Sequence, residues 1–246
     1  MKILLTGDKG FIGRHLSSYL VGRGYEVVGV DRVDGKEVNN LTKMDLKDVK
    51  VVVHLAAQTS VWNNDYKQIF KDNVVAFIHI LNLCRELGIK FIYASSSCSI
   101  NITSAYGFSK YVDDKICRRY GVGLRLHNVY GENSREDTLM GICQKEDKIV
   151  LYNDGKNLRH FTYVEDVCRC IEKSFSLPDG LYNVVNIEEN SVEEFVEEVK
   201  KFKNIEVTKV GEKRLKDKER QVVDFSLVNL LDFPTRIREG ITKTFK

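Results

Sequence analysis

No apolar run in this 246-residue chain is long enough to span a bilayer, so no membrane segment is expected. The N-terminus passes straight into a strand-like stretch, unlike a secretory signal, and the expected location is the cytoplasm. An excess of one charge is also missing. The formal net charge is +3, too small to argue for a nucleic-acid or membrane surface. The six cysteines (Cys84, Cys98, Cys117, Cys143, Cys168 and Cys170) form no C-x-x-C pair and no His/Cys cluster at zinc spacing, so no metal is expected. They read as reduced thiols, mostly core filler. Proline occurs only twice, which carries no functional reading. Repeats, low-complexity tracts and an obvious linker are absent.

What is present is a globular composition, 43% apolar and 30% charged, over a length that suits one large domain or two small ones. The most informative stretch is Lys2 to Gly13. A short apolar run reads as a buried parallel strand and ends at Thr6. Gly7, Gly10 and Gly13 follow at intervals of three. Gly7 suits the tight turn, Gly10 lets backbone N–H groups approach a diphosphate, and Gly13 lets the next helix pack on the strand. That helix, about Phe11 to Arg23, would point its N-terminal amides at a bound anion. A second strand ends in Asp31, placed to accept hydrogen bonds from an adenosine ribose. An ordinary strand–turn–helix corner explains the glycines alone, but not their coincidence with Asp31.

Further along, Val49 to Ala57 reads as a β-branched strand followed by small residues. Tyr66 to Leu87 has helical apolar spacing and stops before Gly88. Lys90 to Ala94 is the next strand, with the serine cluster Ser95 to Ser99 at its C-terminal end. A helix from about Ser104 to Tyr120 and the strand Val122 to Leu126 come next. The alternation predicts an α/β fold, a doubly wound parallel sheet. After Asn128 it becomes irregular: short strands are expected at Lys148–Tyr152, Leu181–Ile187 and Ile205–Val210, and helices at Glu165–Phe175 and Ser191–Phe202. This suggests a Rossmann-like domain over residues 1–130 and a smaller α/β substrate-binding region over 131–246, with about 160–187 returning to the first. The basic stretch Lys200 to Arg220 reads mostly as solvated charge.

Tyr106 and Lys110 are four apart on a predicted helix and so share one face. After a strand-end serine cluster in a dinucleotide-binding fold, this pairing points to chemistry. An ammonium and an oxidised nicotinamide should lower the tyrosine pKa, making it a base toward a sugar hydroxyl. A neighbouring serine hydroxyl could share the hydrogen bond to that oxygen.

Taken together, Gly7-x-x-Gly10-x-x-Gly13, Asp31, His54 to Gln58, Asn73-Val74, Ser95 to Ser97, Tyr106-Gly-x-Ser-Lys110, Leu124 to Gly131 and Gly155 to Val167 resemble the extended short-chain dehydrogenases/reductases. The likeness is to the NAD-dependent nucleotide-sugar epimerase/dehydratase family, and within it to shortened UDP-hexose 4-epimerases. It runs from Met1 to about Thr242. It implies that Gly7, Gly10, Phe11, Ile12, Gly13, Asp31, Asn40, Leu41, Leu55, Ala56, Ala57, Asn73, Tyr106 and Lys110 line an NAD site. Ser96, Tyr106 and Lys110 would be catalytic. Asn128 and Arg159 would hold the substrate diphosphate; Arg214 and Asp217 would hold phosphate and nucleotide ribose. The helices around Asn73–Leu87 and Tyr106–Tyr120 would pair across a two-fold axis into a homodimer, with Ile69, Ile80, Val112 and Ile116 as added apolar surface unless they are simply core.

The chain departs from the pattern in its length and in the truncated loops after Ser96 and between Gly131 and Gly155. His160 also stands where an acidic residue is usual. A 4,6-dehydratase would need an Asp-Glu pair where Ser97 and Cys98 stand. Cys98 matches a catalytic cysteine of 4-keto-6-deoxyhexose 3,5-epimerase/4-reductases, but their partner histidine is missing, and Asp31 disfavours NADPH. A UDP-hexose 4-epimerase using NAD is therefore the expected activity, the reductase the alternative. A non-catalytic dinucleotide sensor is a weaker one, because it leaves Ser96, Tyr106 and Lys110 without a purpose.

Overall fold

The computed structural model describes residues 1–117, 119–214 and 217–246. Position 118, near the end of the helix expected over 104–120, and positions 215 and 216 of the basic stretch lie outside the described residues. Five parallel strands come first: β1 (Lys2–Thr6), β2 (Glu26–Val30), β3 (Val49–His54), β4 (Lys90–Ser96) and β5 (Val122–Leu126). Four short strands follow, β6 (Val129–Tyr130), β7 (Lys148–Tyr152), β8 (Leu158–Arg159) and β9 (Thr162–Tyr163). Last come β10 (Gly180–Val184), β11 (Asn190–Ser191) and β12 (Glu206–Val210). The central sheet has the order β10-β5-β4-β3-β1-β2, all parallel, which makes the fold Rossmann-like α/β. The direction of winding reverses between β1 and β3, where such sheets hold ligands beyond their C-terminal ends. Only a short connection links Asp31 to Val49, folded into two 3-10 turns (Arg32–Asp34 and Val38–Asn40), so β2 stands at the edge.

The helices are α1 (Phe11–Gly22), α2 (Tyr66–Ile69), α3 (Ala76–Leu87), α4 (Ala105–Cys117), α5 (Leu139–Lys145), α6 (Val164–Lys173), α7 (Val192–Val199) and α8 (Ile237–Thr244). A π-helical segment, Phe70–Val75, joins α2 to α3, so the single helix expected over 66–87 is three consecutive pieces. Alternation along β1 sends Ile3 and Leu5 into one core and Leu4 into another, on opposite faces of the sheet. A third core, around Tyr130, Phe161 and Phe195, sits under β7, β9, α7 and α8. The sequence beyond Asn128 therefore serves two places: α6 and β10 build onto the central sheet, while β7 pairs with β12 and β8 with β11 beside the cleft. No helix among the described residues is long and apolar enough to cross a membrane.

Candidate active site

A cleft of about 720 Å³ runs along the C-terminal ends of the strands and separates the sheet from the later segments. One end is the glycine turn. Gly7 has φ +74°, and a Cβ there would come within 2.7 Å of the Ala56 nitrogen. At Gly13 a Cβ would lie 2.0 Å from the Gly7 carbonyl oxygen, so only glycine lets α1 approach this closely. The N-cap of α1, Gly10, offers no side-chain cap, and the first turn contains no acidic residue. Its amide donors and positive dipole end are left for an anion. Asp31 stands just past β2, accepting from the backbone N–H groups of Lys9 (3.2 Å) and Val33 (3.1 Å). A turn closed to Cβ atoms, an uncapped helix and an acidic strand end fit a dinucleotide.

At the centre, Ser96 ends β4 and caps the next turn by accepting from the Cys98 N–H. Gly107 lets α4 lie against that turn; a Cβ there would meet the Cys98 carbonyl at 2.7 Å. Tyr106 is thereby brought near Ser96, whose hydroxyl favours the phenolate. Lys110 is one turn deeper, 2% exposed, with its Nζ 3.3 Å from Asp113 Oδ2. The chain's own groups push the Tyr106 phenol up to about 12, first through burial and next through Cys98, against the lowering effect of Ser96. The dry site disfavours the charged phenolate.

Most of the expected residues meet in this cleft. Gly7, Gly10, Phe11, Ile12, Gly13, Asp31, Leu55, Ala56, Ala57, Ser96, Tyr106, Lys110, Asn128, Arg159, Arg214 and Asp217 all line it. Three do not. Asn40 is exposed and Leu41 is buried in the core, while their neighbours Val38 and Asn39 form the wall. Asn73 is fully buried, and its amide is spent on the Gln58 backbone and on Ser109. It shapes the loop after β3 from behind.

At the other end Arg159 donates to Asp217, and Arg214 lies 4.8 Å from the ring centres of both Trp62 and Tyr152. Several lining residues had no signal in the sequence. Gln221 bridges Asn128 (3.0 Å) and Ser97 (2.6 Å), and Arg135 donates to Thr59. Outside the lining, Lys218 donates to the Asn101 carbonyl, and burial lowers its pKa. Spacing rules cannot find groups that reach the site from loops.

The family model described as the NAD dependent epimerase/dehydratase family matches residues 3–187. A putative UDP-glucose 4-epimerase of Methanocaldococcus jannaschii is 30% identical, over 80% of this chain and 81% of that protein. Protein CapI of Staphylococcus aureus is 29% identical over 99% of this chain and 97% of its own. That alignment spans 324 positions, more than the 246 residues of the chain, so this chain is shorter by internal gaps. Among solved structures, MoeE5 in complex with UDP-glucuronic acid and NAD superposes with a TM-score of 0.85, at 26% identity, covering 100% of this chain and 98% of that one.

Proposed function

The chain belongs to the NAD-dependent epimerase/dehydratase family, and on that premise we propose that it is a UDP-hexose 4-epimerase with NAD as cofactor. The observation that carries the reading is that Ser96, Tyr106 and Lys110 line one cleft, set between the glycine turn and the arginines. When bound, NAD supplies the acceptor and donor of the C4 hydride. Gly7, Gly10, Gly13 and Asp31 would hold its diphosphate and ribose, and Lys110 its nicotinamide ribose.

The Tyr106 oxygen takes the proton of the sugar 4-hydroxyl and returns it after the ketose has turned over. Ser96 hydrogen-bonds the same oxygen and stabilises charge there. Arg159 and Arg214 suit a diphosphate, because a guanidinium presents paired donors in a fixed fork. The decisive experiment incubates the pure protein with UDP-, GDP- and dTDP-sugars and separates the products. Interconversion of a UDP-hexose with its C4 epimer, without net NADH, is the expected result; no epimer from any sugar overturns the reading.

One observation favours a second reading. Cys98 lines the cleft close to Tyr106, where a 3,5-epimerase/4-reductase would use an acid–base thiol. Its partner is lacking: His127 is wholly buried, and burial lowers its pKa to about 3. Stoichiometric NADPH consumption with a 4-keto-6-deoxy sugar would support that alternative.

A homodimer belongs to the same proposal. Ile69 and Ile80 are 1% and 0% exposed and pack in the core, the simpler of the two accounts the sequence allows them. The outward apolar residues are Tyr66, Phe70, Val75 and Ile78 before and on α3, with Phe108 and Tyr111 on α4. A second copy covering these faces gives an isologous contact. All six cysteines are free thiols, which suits the reducing cytoplasm.

A further inference from the structure

Asp113 takes no part in the roles assigned so far. It is 0% exposed on α4, one turn beyond Lys110. Its Oδ2 is the hydrogen-bond partner seen for the Lys110 ammonium, and its Oδ1, equally buried, has no partner. A half-satisfied carboxylate in a dry helix–sheet interface is costly, and structure alone gives little reason for it. An apolar residue would fill the position and leave Lys110 free.

We propose that Asp113 is a positioning residue of the active site: it holds Lys110 and offsets the ammonium's charge, and so sets how readily Tyr106 loses its proton. With Asp113 ionised the pair is neutral and gives the phenolate little support. With Asp113 protonated, the full Lys110 charge acts on Tyr106. The surroundings are consistent with a carboxyl that changes state in the working range. Burial, ahead of the opposing pull of Lys110, raises its pKa to about 7, and the neighbouring Asp114 adds to the rise.

The other titratable groups around the pair are accounted for. His54 on β3 senses Lys110 but is held neutral by burial, its pKa lowered to about 3. Tyr93 on β4 and Cys117 on α4 both sense Asp113 and are raised by burial, so they stay protonated. Asp114 is committed to Arg125 of β5, to Tyr93 and to Ser99. Asp72, from the π-helical segment, is tied to Arg32. Cys98, on the turn against α4, acts on Tyr106 as noted. Asp113 is thus the group near Lys110 whose charge changes close to neutrality.

The inference rests on Tyr106 as the base, and its test needs no sugar. The Tyr106 titration is read with NAD bound, as the tyrosinate absorbance difference between the protein and its Tyr106→Phe variant. Asp113→Asn should move the midpoint to lower pH by about one unit, the scale of one neighbouring charge. A midpoint that stays put, in a folded variant, overturns the proposal and leaves Asp113 a packing residue. Should Asp113→Asn fail to fold, carbon NMR of aspartate carboxyls in the unaltered protein decides. One carboxyl titrating near neutrality supports the proposal; titration of all of them in the ordinary range near pH 4 overturns it. A shifted midpoint with no epimerisation of any sugar would instead defeat the proposed function alone.

Discussion

Arg159 donates to Asp217 at 2.5 Å, and the second Asp217 oxygen accepts from Asn157 at 2.9 Å. A guanidinium meant for phosphate is thus pre-set by a carboxylate that is itself held. The sequence resemblance makes both residues substrate ligands; the geometry adds that Asp217 aims Arg159. Losing the carboxylate should cost affinity in the ground and transition states alike. Asp217→Ala is expected to raise KM for the UDP-sugar about tenfold, roughly one charge-assisted hydrogen bond, with kcat nearly unchanged. A fall in kcat at constant KM would place Asp217 in the chemistry instead.

Tyr106→Phe removes the proposed base while keeping the ring that packs beside Ser96. Turnover should fall about 100-fold or more, the usual scale for a general base, while NAD binding survives. Ser96→Ala should act in the same direction by a smaller factor, since one hydroxyl still serves the sugar. Single-turnover assays and NAD titration separate the two effects. Full activity in the Tyr106 variant would mean that α4 is the wrong helix.

The legible half of this site is the half built from backbone geometry. Gly7 and Gly13 leave marks in spacing because Cβ atoms are forbidden there, and Gly10 and the acidic strand end complete the pattern. Tyr106 and Lys110 are equally plain, being one helical turn apart. Asn40 and Leu41 lie off the cleft wall because the connection after Asp31 is two short 3-10 turns, whose facing no periodicity reveals. Ile69 and Ile80 are core, the simpler account of them, yet this helical stretch is apolar on both its core and outward sides and spacing alone leaves either open. Gln221 and Arg135 arrive from irregular chain and depend on tertiary folding.

Asp31 argues for NAD over NADP, since a 2′-phosphate would meet its carboxylate. The nearby Arg32 does not rescue NADP; it is engaged with Asp72 at 3.1 Å. Titration should give tighter NAD than NADP binding, and Asp31→Ala should narrow the gap. Tighter NADP binding by the unaltered protein would refute this.

Burial makes stability depend on pH in a defined direction. His54 and His127 are 1% and 0% exposed, and burial lowers each pKa from 6.5 to about 3. Between those values the unfolded chain binds two protons that the native protein does not, so stability falls as pH drops below 6.5. Each histidine contributes about 1.4 kcal/mol per pH unit. Asp113 works the other way: its raised value means the native state holds an extra proton between about 4 and 7, which offsets one of the two. The net loss should be about 1.4 kcal/mol per pH unit from these groups. Urea midpoints at pH 5 and 6.5 measure it, and His127→Gln should flatten the slope. An unchanged slope in that variant would show that His127 is charged in the native state.

The cleft carries its own reporter. Trp62 is the single tryptophan, 40% exposed, with Arg214 at 4.8 Å from its ring centre and Tyr152 on the same guanidinium. Each cation–π contact at this exposure is worth about 0.5–1 kcal/mol, whereas hydrogen bonds to a charged phosphate are worth about 1.5–3 kcal/mol each. A diphosphate in reach should therefore draw Arg214 off the rings. UDP titration is expected to change Trp62 emission saturably, and Arg214→Ala should both weaken UDP binding at least tenfold and abolish the change. Calorimetry run in parallel guards against a silent site. UDP binding seen by heat, with constant emission, would mean that Arg214 stays on its rings and the diphosphate is held by Arg159 and the helix ends.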